Sequence, residues 1–228
     1  MANKYQNKHA IERFENGEFT YFLDGKKQKE VLAYLHKQNI SYRFFSLYEE
    51  MEKKIIYSGR KPKVTLLEIL CDYPLTHPKI LGSLYGLQIS DLMFGDILIG
   101  EKNYVLVLNS MVDYLMNHWN SIGNYPIKIQ KRSFQEIEHF KRTYEKMLVK
   151  TSSLRMDQVL AKLLKQSRKQ ILNKMEEKEV FLNDEMVLKI SIPLKEGDVF
   201  SIRRYGKYKL LSYEQKQNTF WITIQKYC

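Results

Sequence analysis

Cysteine is nearly absent: Cys71 and Cys228 are the only two in 228 residues, too few and too far apart for a disulfide framework or a thiolate metal site. A reducing compartment suits them. Histidine is scarce as well, and His9, His36, His77, His118 and His139 stand with no ligand spacing between them. No Gly-rich nucleotide loop and no Gly-x-Ser-x-Gly elbow occurs. No stretch approaches the roughly 18 uninterrupted apolar residues of a membrane helix, and Met-Ala-Asn-Lys-Tyr-Gln-Asn-Lys-His lacks the apolar run of a signal peptide. These absences predict a soluble, cytoplasmic protein with no membrane partner, no enzyme activity, no cofactor and no metal.

What is present is apolar material and a lopsided charge. With 44% hydrophobic and 13% aromatic residues the chain can build real cores. Residues 1–124 hold 15 Lys+Arg against 14 Asp+Glu, whereas residues 125–228 hold 22 against 12. A polyanion bound by the C-terminal part is the direct implication. Nucleic acid ranks ahead of a membrane surface, because no amphipathic helix with a wide apolar face is present to insert among lipids.

The basic part is organised around Ser153 to Lys209. Ser153 is placed to cap a helix with Met156, Val159, Leu160, Leu163 and Leu164 on one side and Arg155, Gln158 and Lys162 on the other. Ser167 is placed to cap a second helix, with Ile171, Leu172 and Met175 inward and Arg168, Lys169 and Lys174 outward. Arg168 and Lys169 fall in a first helical turn, where cations cost an isolated helix about 0.3 to 1 kcal/mol each. A phosphate docked there would reverse that cost, since backbone N–H groups, the Ser167 hydroxyl and both cations converge on it. Arg155, Arg203, Arg204 and Lys207 recur in the same unit.

Upstream, Asp24-Gly25 marks a turn, and Lys26 to Gln38 reads as a helix with Val31, Leu32 and Leu35 inward. Ile40 to Phe45 and Ile55 to Tyr57 read as extended, and Ser46 to Lys53 as helical. The Gly59-Arg60-Lys61-Pro62-Lys63 loop lacks the spacing of a nucleotide loop and reads as a solvated turn. Val64 to Cys71, a helix from Thr76-His77-Pro78 to about Gln88, Gly95 to Ile99, Tyr104 to Leu108, a helix over Met111 to Trp119 and Tyr125 to Arg132 give the order βαββαβ. The strand at Tyr104 lacks the aromatic-glycine signature that stacks bases, so RNA contact here needs another surface, and a platform for a partner is the competing reading. Gly82 and Gly86, one turn apart, suggest close approach of that helix to the sheet. His77 at the helix start reads as a cap or packing residue. Ser133 to Lys150 reads as a charged helix with Ile137, Phe140, Tyr144 and Leu148 in one stripe. Asn183-Asp184 and Glu196-Gly197-Asp198 read as turns, with strands at Val199 to Tyr205 and Phe220 to Tyr227.

Two resemblances attach to these residues. Ser153-Leu-Arg-Met-Asp157, Ser167-Arg-Lys-Gln170, Val180-Phe-Leu-Asn183, Glu196-Gly-Asp-Val199 and Arg203-Arg-Tyr-Gly-Lys207 resemble the S-four RNA-binding domain, named after small-subunit ribosomal protein four. The family usually has glycine where this chain has Lys178, which implies a left-handed position at Lys178. Leu75-Thr76-His77, Leu81 to Leu87 and Gly95-Asp96-Ile97-Leu98 resemble the middle domain of the bacterial YlmH family, whose members end in an S-four domain. Pro78-Lys79 replaces that family's common Arg-Asp pair, so a contact made by the pair does not carry over.

The resulting expectation is an α+β chain. Residues 1–73 form a small N-terminal α/β domain; 74–150 form a central ferredoxin-like, RRM-like βαββαβ domain with a linker helix, its first strand starting near 64; and 151–228 form an S-four-like RNA-binding domain. The YlmH resemblance implies a monomeric, non-enzymatic factor of the large ribosomal subunit, binding rRNA and tRNA in quality control of subunits obstructed by peptidyl-tRNA. Arg155, Arg168, Lys169 and Lys174 would hold phosphates, Ser167 and Gln170 would add hydrogen bonds, and Arg203, Arg204 and Lys207 would clamp the neighbouring backbone. The alternatives are an adaptor whose basic domain meets an acidic partner and a diverged RNA-modifying enzyme.

Overall fold

A computed structural model describes residues 10–187 and 191–227, so His9 and Cys228 lie outside the described residues. The chain is mixed α+β and falls into two compact units, one ending at Arg142 and the other beginning at Thr143.

In the first unit, α1 covers residues 10–15 and α2 spans Gly25–Lys37. Asp24 starts α2 by accepting from the Lys27 N–H at 2.9 Å, and Val31 and Leu35 are buried at helical spacing. Strands β1 (Arg43–Phe45) and β2 (Ile55–Tyr57) pair antiparallel. The segment between them, expected to be helical over Ser46 to Lys53, is a loop instead. Tertiary partners replace the helix bonds: the Glu52 and Lys53 N–H groups donate to the Asp96 carboxylate at 2.8 and 2.9 Å, and the Tyr48 hydroxyl donates to it as well. The Lys53 ammonium turns inward onto the Asp91 and Phe94 carbonyls at 2.6 and 3.1 Å, and burial pulls its pKa down.

The central elements are β3 (Val64–Leu70), α3 (His77–Gly86), β4 (Phe94–Leu98), β5 (Asn103–Leu108), α4 (Asn109–His118), the small β6–β7 hairpin (Ser121–Ile122 and Tyr125–Pro126) and β8 (Lys128–Arg132). The sheet runs β4-β5-β3-β8 with every neighbour antiparallel. Counted within the βαββαβ motif, that is second, third, first, fourth, the ferredoxin-like arrangement. Leu67, Ile69, Val105 and Val107 face the apolar stripes of α3 and α4, including Ile80, Leu84, Val112 and Leu115. Leu66, Tyr104 and Leu106 on the other face pack with Phe22, Phe45 and Tyr48 from the N-terminal segment. Both faces are therefore covered, and the open sheet on which RNA-recognition modules stack bases is absent here.

One glycine expectation is corrected. A Cβ at Gly82 or Gly86 would meet nothing within 4 Å, so neither permits a close approach. The glycine that does so is Gly95, where a Cβ would lie 2.6 Å from the Phe22 ring and 3.1 Å from Leu106. Strand β4 meets the N-terminal core at this point.

After a 3-10 turn at Phe134–Ile137, the second unit opens with β9 (Tyr144–Thr151). The helix expected over Ser133 to Lys150 is not formed. Instead, β9 pairs antiparallel from Tyr144 to Thr151, and Val149 and Thr151 are buried with Met147 half-buried beside them, a period of two that overrides the helical stripe. Helices α5 (Met156–Leu163) and α6 (Arg168–Glu176) follow, then β10 (Val180–Leu182), β11 (Glu185–Met186), β12 (Val199–Ile202), β13 (Gly206–Lys216) and β14 (Thr219–Tyr227). The antiparallel sheet runs β11-β10-β12-β13-β14-β9. Met156, Val159, Leu160, Leu163, Ile171 and Met175 from the helices share one core with Phe200, Ile202, Tyr208, Leu210, Ile222 and Ile224 from the sheet. Asn183 and Asp184 both adopt positive φ, 51° and 66°, in the two-residue turn joining β10 to β11. Lys178 takes φ 61° just past α6, the left-handed position that its place in the S-four resemblance implied.

Candidate nucleic-acid interface

The helix pair is built by its caps. Ser167 accepts from the Gln170 N–H at 3.3 Å, while the Gln170 side-chain oxygen accepts from the Ser167 N–H at 2.8 Å, a reciprocal capping box. Both side chains expected to bond RNA are thus engaged at the start of α6; the Gln170 amide nitrogen keeps its donors. Ser153 does not cap α5. The helix begins at Met156 after Arg155, and the Ser153 hydroxyl accepts from the Arg155 N–H at 3.2 Å just outside it.

Asp157 joins the two helices. Its side chain is 0% exposed, and it accepts from Arg155 Nε at 3.2 Å and from Arg168 Nε at 2.5 Å. The two arginines remain 36% and 52% exposed. One buried carboxylate therefore holds two outward guanidiniums, one preceding α5 and one in the first turn of α6. Arg168 is partly compensated there, so the helix-dipole cost inferred from sequence applies chiefly to Lys169, which is exposed and has no ion pair among the described residues.

Tyr205 ties the β12–β13 turn to the helices. Its hydroxyl accepts from Gln166 Nε2 at 2.7 Å, and the Lys174 ammonium lies 4.7 Å from its ring centre. Arg203 and Arg204 sit exposed in this turn, Arg204 with φ 71°. Lys207 is not brought to the same face. It alternates with Tyr208, whose ring is buried in the core, and its ammonium lies 5.3 Å from the Tyr227 ring on the outward side of the sheet. Lys207 is therefore separated from Arg203 and Arg204, which share the turn.

An open groove of about 630 Å³ lies beside Arg168, lined by Thr151, Ser152, Gln158, Ala161, Lys162, Lys165, Gln166 and Arg168. The buried Gln166 Oε1 has no hydrogen-bond donor. Lys162 and Gln158 were legible as the polar side of α5. Lys165 and Gln166 were not, because Lys165 leaves the helix with φ 52°, a turn that no periodicity encodes. The groove combines the three cations Lys162, Lys165 and Arg168 with the Gln158 amide, a donor set suited to phosphate.

Comparison with known proteins finds similarity over the central segment and over much of the chain. Residues 63–136 match the family model described as "Putative RNA-binding domain in YlmH". The ribosome-associated protein quality control protein P2 of Bacillus subtilis (strain 168) is 25% identical over 209 residues, covering 86% of this chain and 81% of that protein. The solved cell division protein ylmH from Streptococcus pneumoniae aligns at 16% identity with a TM-score of 0.49, covering 58% of this chain and 90% of that one. The YlmH resemblance read from the sequence is borne out by these matches.

Proposed function

We propose that this chain is a non-enzymatic, cytoplasmic RNA-binding protein that acts as a monomer on the large ribosomal subunit, binding rRNA and tRNA in quality control of subunits obstructed by peptidyl-tRNA. The family model for residues 63–136 and the name of the Bacillus relative support RNA and the ribosome as partners. The observation that carries the reading to particular residues is Asp157, which fixes Arg155 and Arg168 beside the start of α6. In an S-four-like C-terminal unit, Arg155, Arg168, Lys169 and Lys174 hold phosphates, Arg203 and Arg204 contact the adjoining backbone, and Lys162 and Lys165 extend the track along the groove. Ser167 and Gln170 serve by presenting the free N–H groups of α6, with the Gln170 amide as a further donor. Recognition is by shape, because this face offers few aromatic rings for stacking.

Cross-linking of the tagged protein in cells, with sequencing of attached RNA and sedimentation of the particle, tests the proposal. Large-subunit rRNA with tRNA, lost in an Arg168→Ala/Lys169→Ala variant, is the expected result. Small-subunit or scattered messenger RNA would refute the ribosomal role. A protein partner recovered equally well after nuclease treatment, without RNA, would favour the adaptor reading.

A further inference from the structure

The outward face of β9, β13 and β14 lies on the other side of the sheet from α5 and α6. Strand alternation turns Ile222 and Ile224 into the core and Trp221 and Thr223 outward. Trp221 sits between Lys150 on β9 and Glu214 on β13, and Leu148, beside Thr223, is 65% exposed. Leu148, Ser212, Glu214, Lys216, Trp221 and Thr223 line a shallow depression of about 210 Å³. The Lys150 ammonium lies 5.0 Å from the Trp221 ring centre. Lys146 and Lys209 flank Gln225 further along the same face, and the one acid at the depression, Glu214, is paired with Lys216 at 3.1 Å.

We infer that this sheet face is a second nucleic-acid site that takes single-stranded RNA, with Trp221 as the platform on which one base stacks. An outward indole with a cation at its face, an aliphatic neighbour and further lysines along the strands matches a ligand that alternates flat rings with negative charges. Excess positive charge makes the face complementary to a phosphate backbone. The apolar groups stand singly around a shallow floor, which suits a base and offers no deep pocket for the side chain of a protein partner. Lys207 over Tyr227 continues the face, about 20 Å along β14 from Trp221 at the usual rise per residue. The inference goes beyond the proposed ribosomal role and does not depend on the helix face.

The full chain carries its own reporter. Trp119 is buried, with its indole N–H bonded to Ser83, so a ligand on the sheet reads out through Trp221. Titration with a single-stranded oligouridylate is expected to quench tryptophan emission in the wild type and equally in the Arg168→Ala/Lys169→Ala variant. Trp221→Phe should abolish the quench yet keep binding of a labelled oligouridylate, because a phenyl ring still stacks. Trp221→Thr should weaken that binding roughly fivefold to a hundredfold. Unchanged affinity in Trp221→Thr would overturn the inference, and so would loss of the quench in the helix-face variant. Equal quenching by poly-L-glutamate would reassign the face to an acidic polypeptide. Loss of folded-RNA binding without loss of the oligouridylate quench would separate the two sites.

Discussion

Each unit has a buried aspartate at its organising point, and the two are used in opposite ways. Asp96 in the first unit is consumed from within: the Tyr48 hydroxyl, the Glu52 and Lys53 N–H groups and Arg142 Nη2, the last at 2.8 Å, all donate to it. Asp157 in the second unit accepts from two arginines whose charged ends remain in water. The first acid closes a fold; the second aims charge outward. The sheets differ in the same sense, since the central sheet is covered on both faces and the C-terminal sheet presents an outward face bearing Trp221 and Leu148. Charge follows the division: from Thr143 onward there are 17 Lys+Arg against 10 Asp+Glu, and before it 20 against 16.

The contrast can be broken experimentally. Asp96→Ala strands buried donors around an emptied site and should cost about 3 to 5 kcal/mol in urea unfolding of the first unit. Gly95→Ala forces the Phe22 ring or the strand to move and should cost about 1 to 3 kcal/mol, whereas Gly82→Ala, with open space and a helical backbone, should stabilise by up to about 1 kcal/mol. A destabilised Gly82→Ala would refute the packing described. Asp157→Asn should lower stability by only about 1 to 2 kcal/mol, because its arginines retain solvent. A loss as large as that of Asp96→Ala would erase the distinction between the two acids.

The smallest effect concerns His77 at the start of α3. Crowding by the protein and the Arg142 guanidinium hold its imidazole below the ordinary value of 6.5. The unfolded chain therefore binds a proton that the folded chain does not, and stability falls as pH drops below about 6.5 toward the lowered folded value. In His77→Gln the acid-side decline in denaturation midpoint should be slightly shallower. An identical pH profile would remove His77 from the environment assigned to it.

Much of this was legible in the sequence where local chemistry decides. The βαββαβ order, the Ser167 cap and the Asn183-Asp184 turn each depend on a few adjacent residues, whereas the left-handed Lys178 was implied by the S-four resemblance. Distant partners decide the rest. Ser46 to Lys53 loses its helix to Asp96, some 45 residues away, and Tyr144 to Thr151 becomes a strand because β14 lies at the far end of the chain. Lys207 separates from Arg203 and Arg204 for a related reason: a basic cluster in sequence is split by strand alternation into two faces. The role of Asp157 was invisible, since nothing local distinguishes an acid that bridges two helices from a solvated first-turn acid.

The central claim is that RNA is held by phosphate contacts on the α5–α6 face. Its most direct test is the salt dependence of binding of a tRNA or large-subunit rRNA fragment, compared between wild type and Arg168→Ala/Lys169→Ala. The account predicts weaker binding and a log-log slope reduced in magnitude by about 1 to 2, given about 0.7 to 0.9 per phosphate contact. An unchanged slope with unchanged affinity would contradict it.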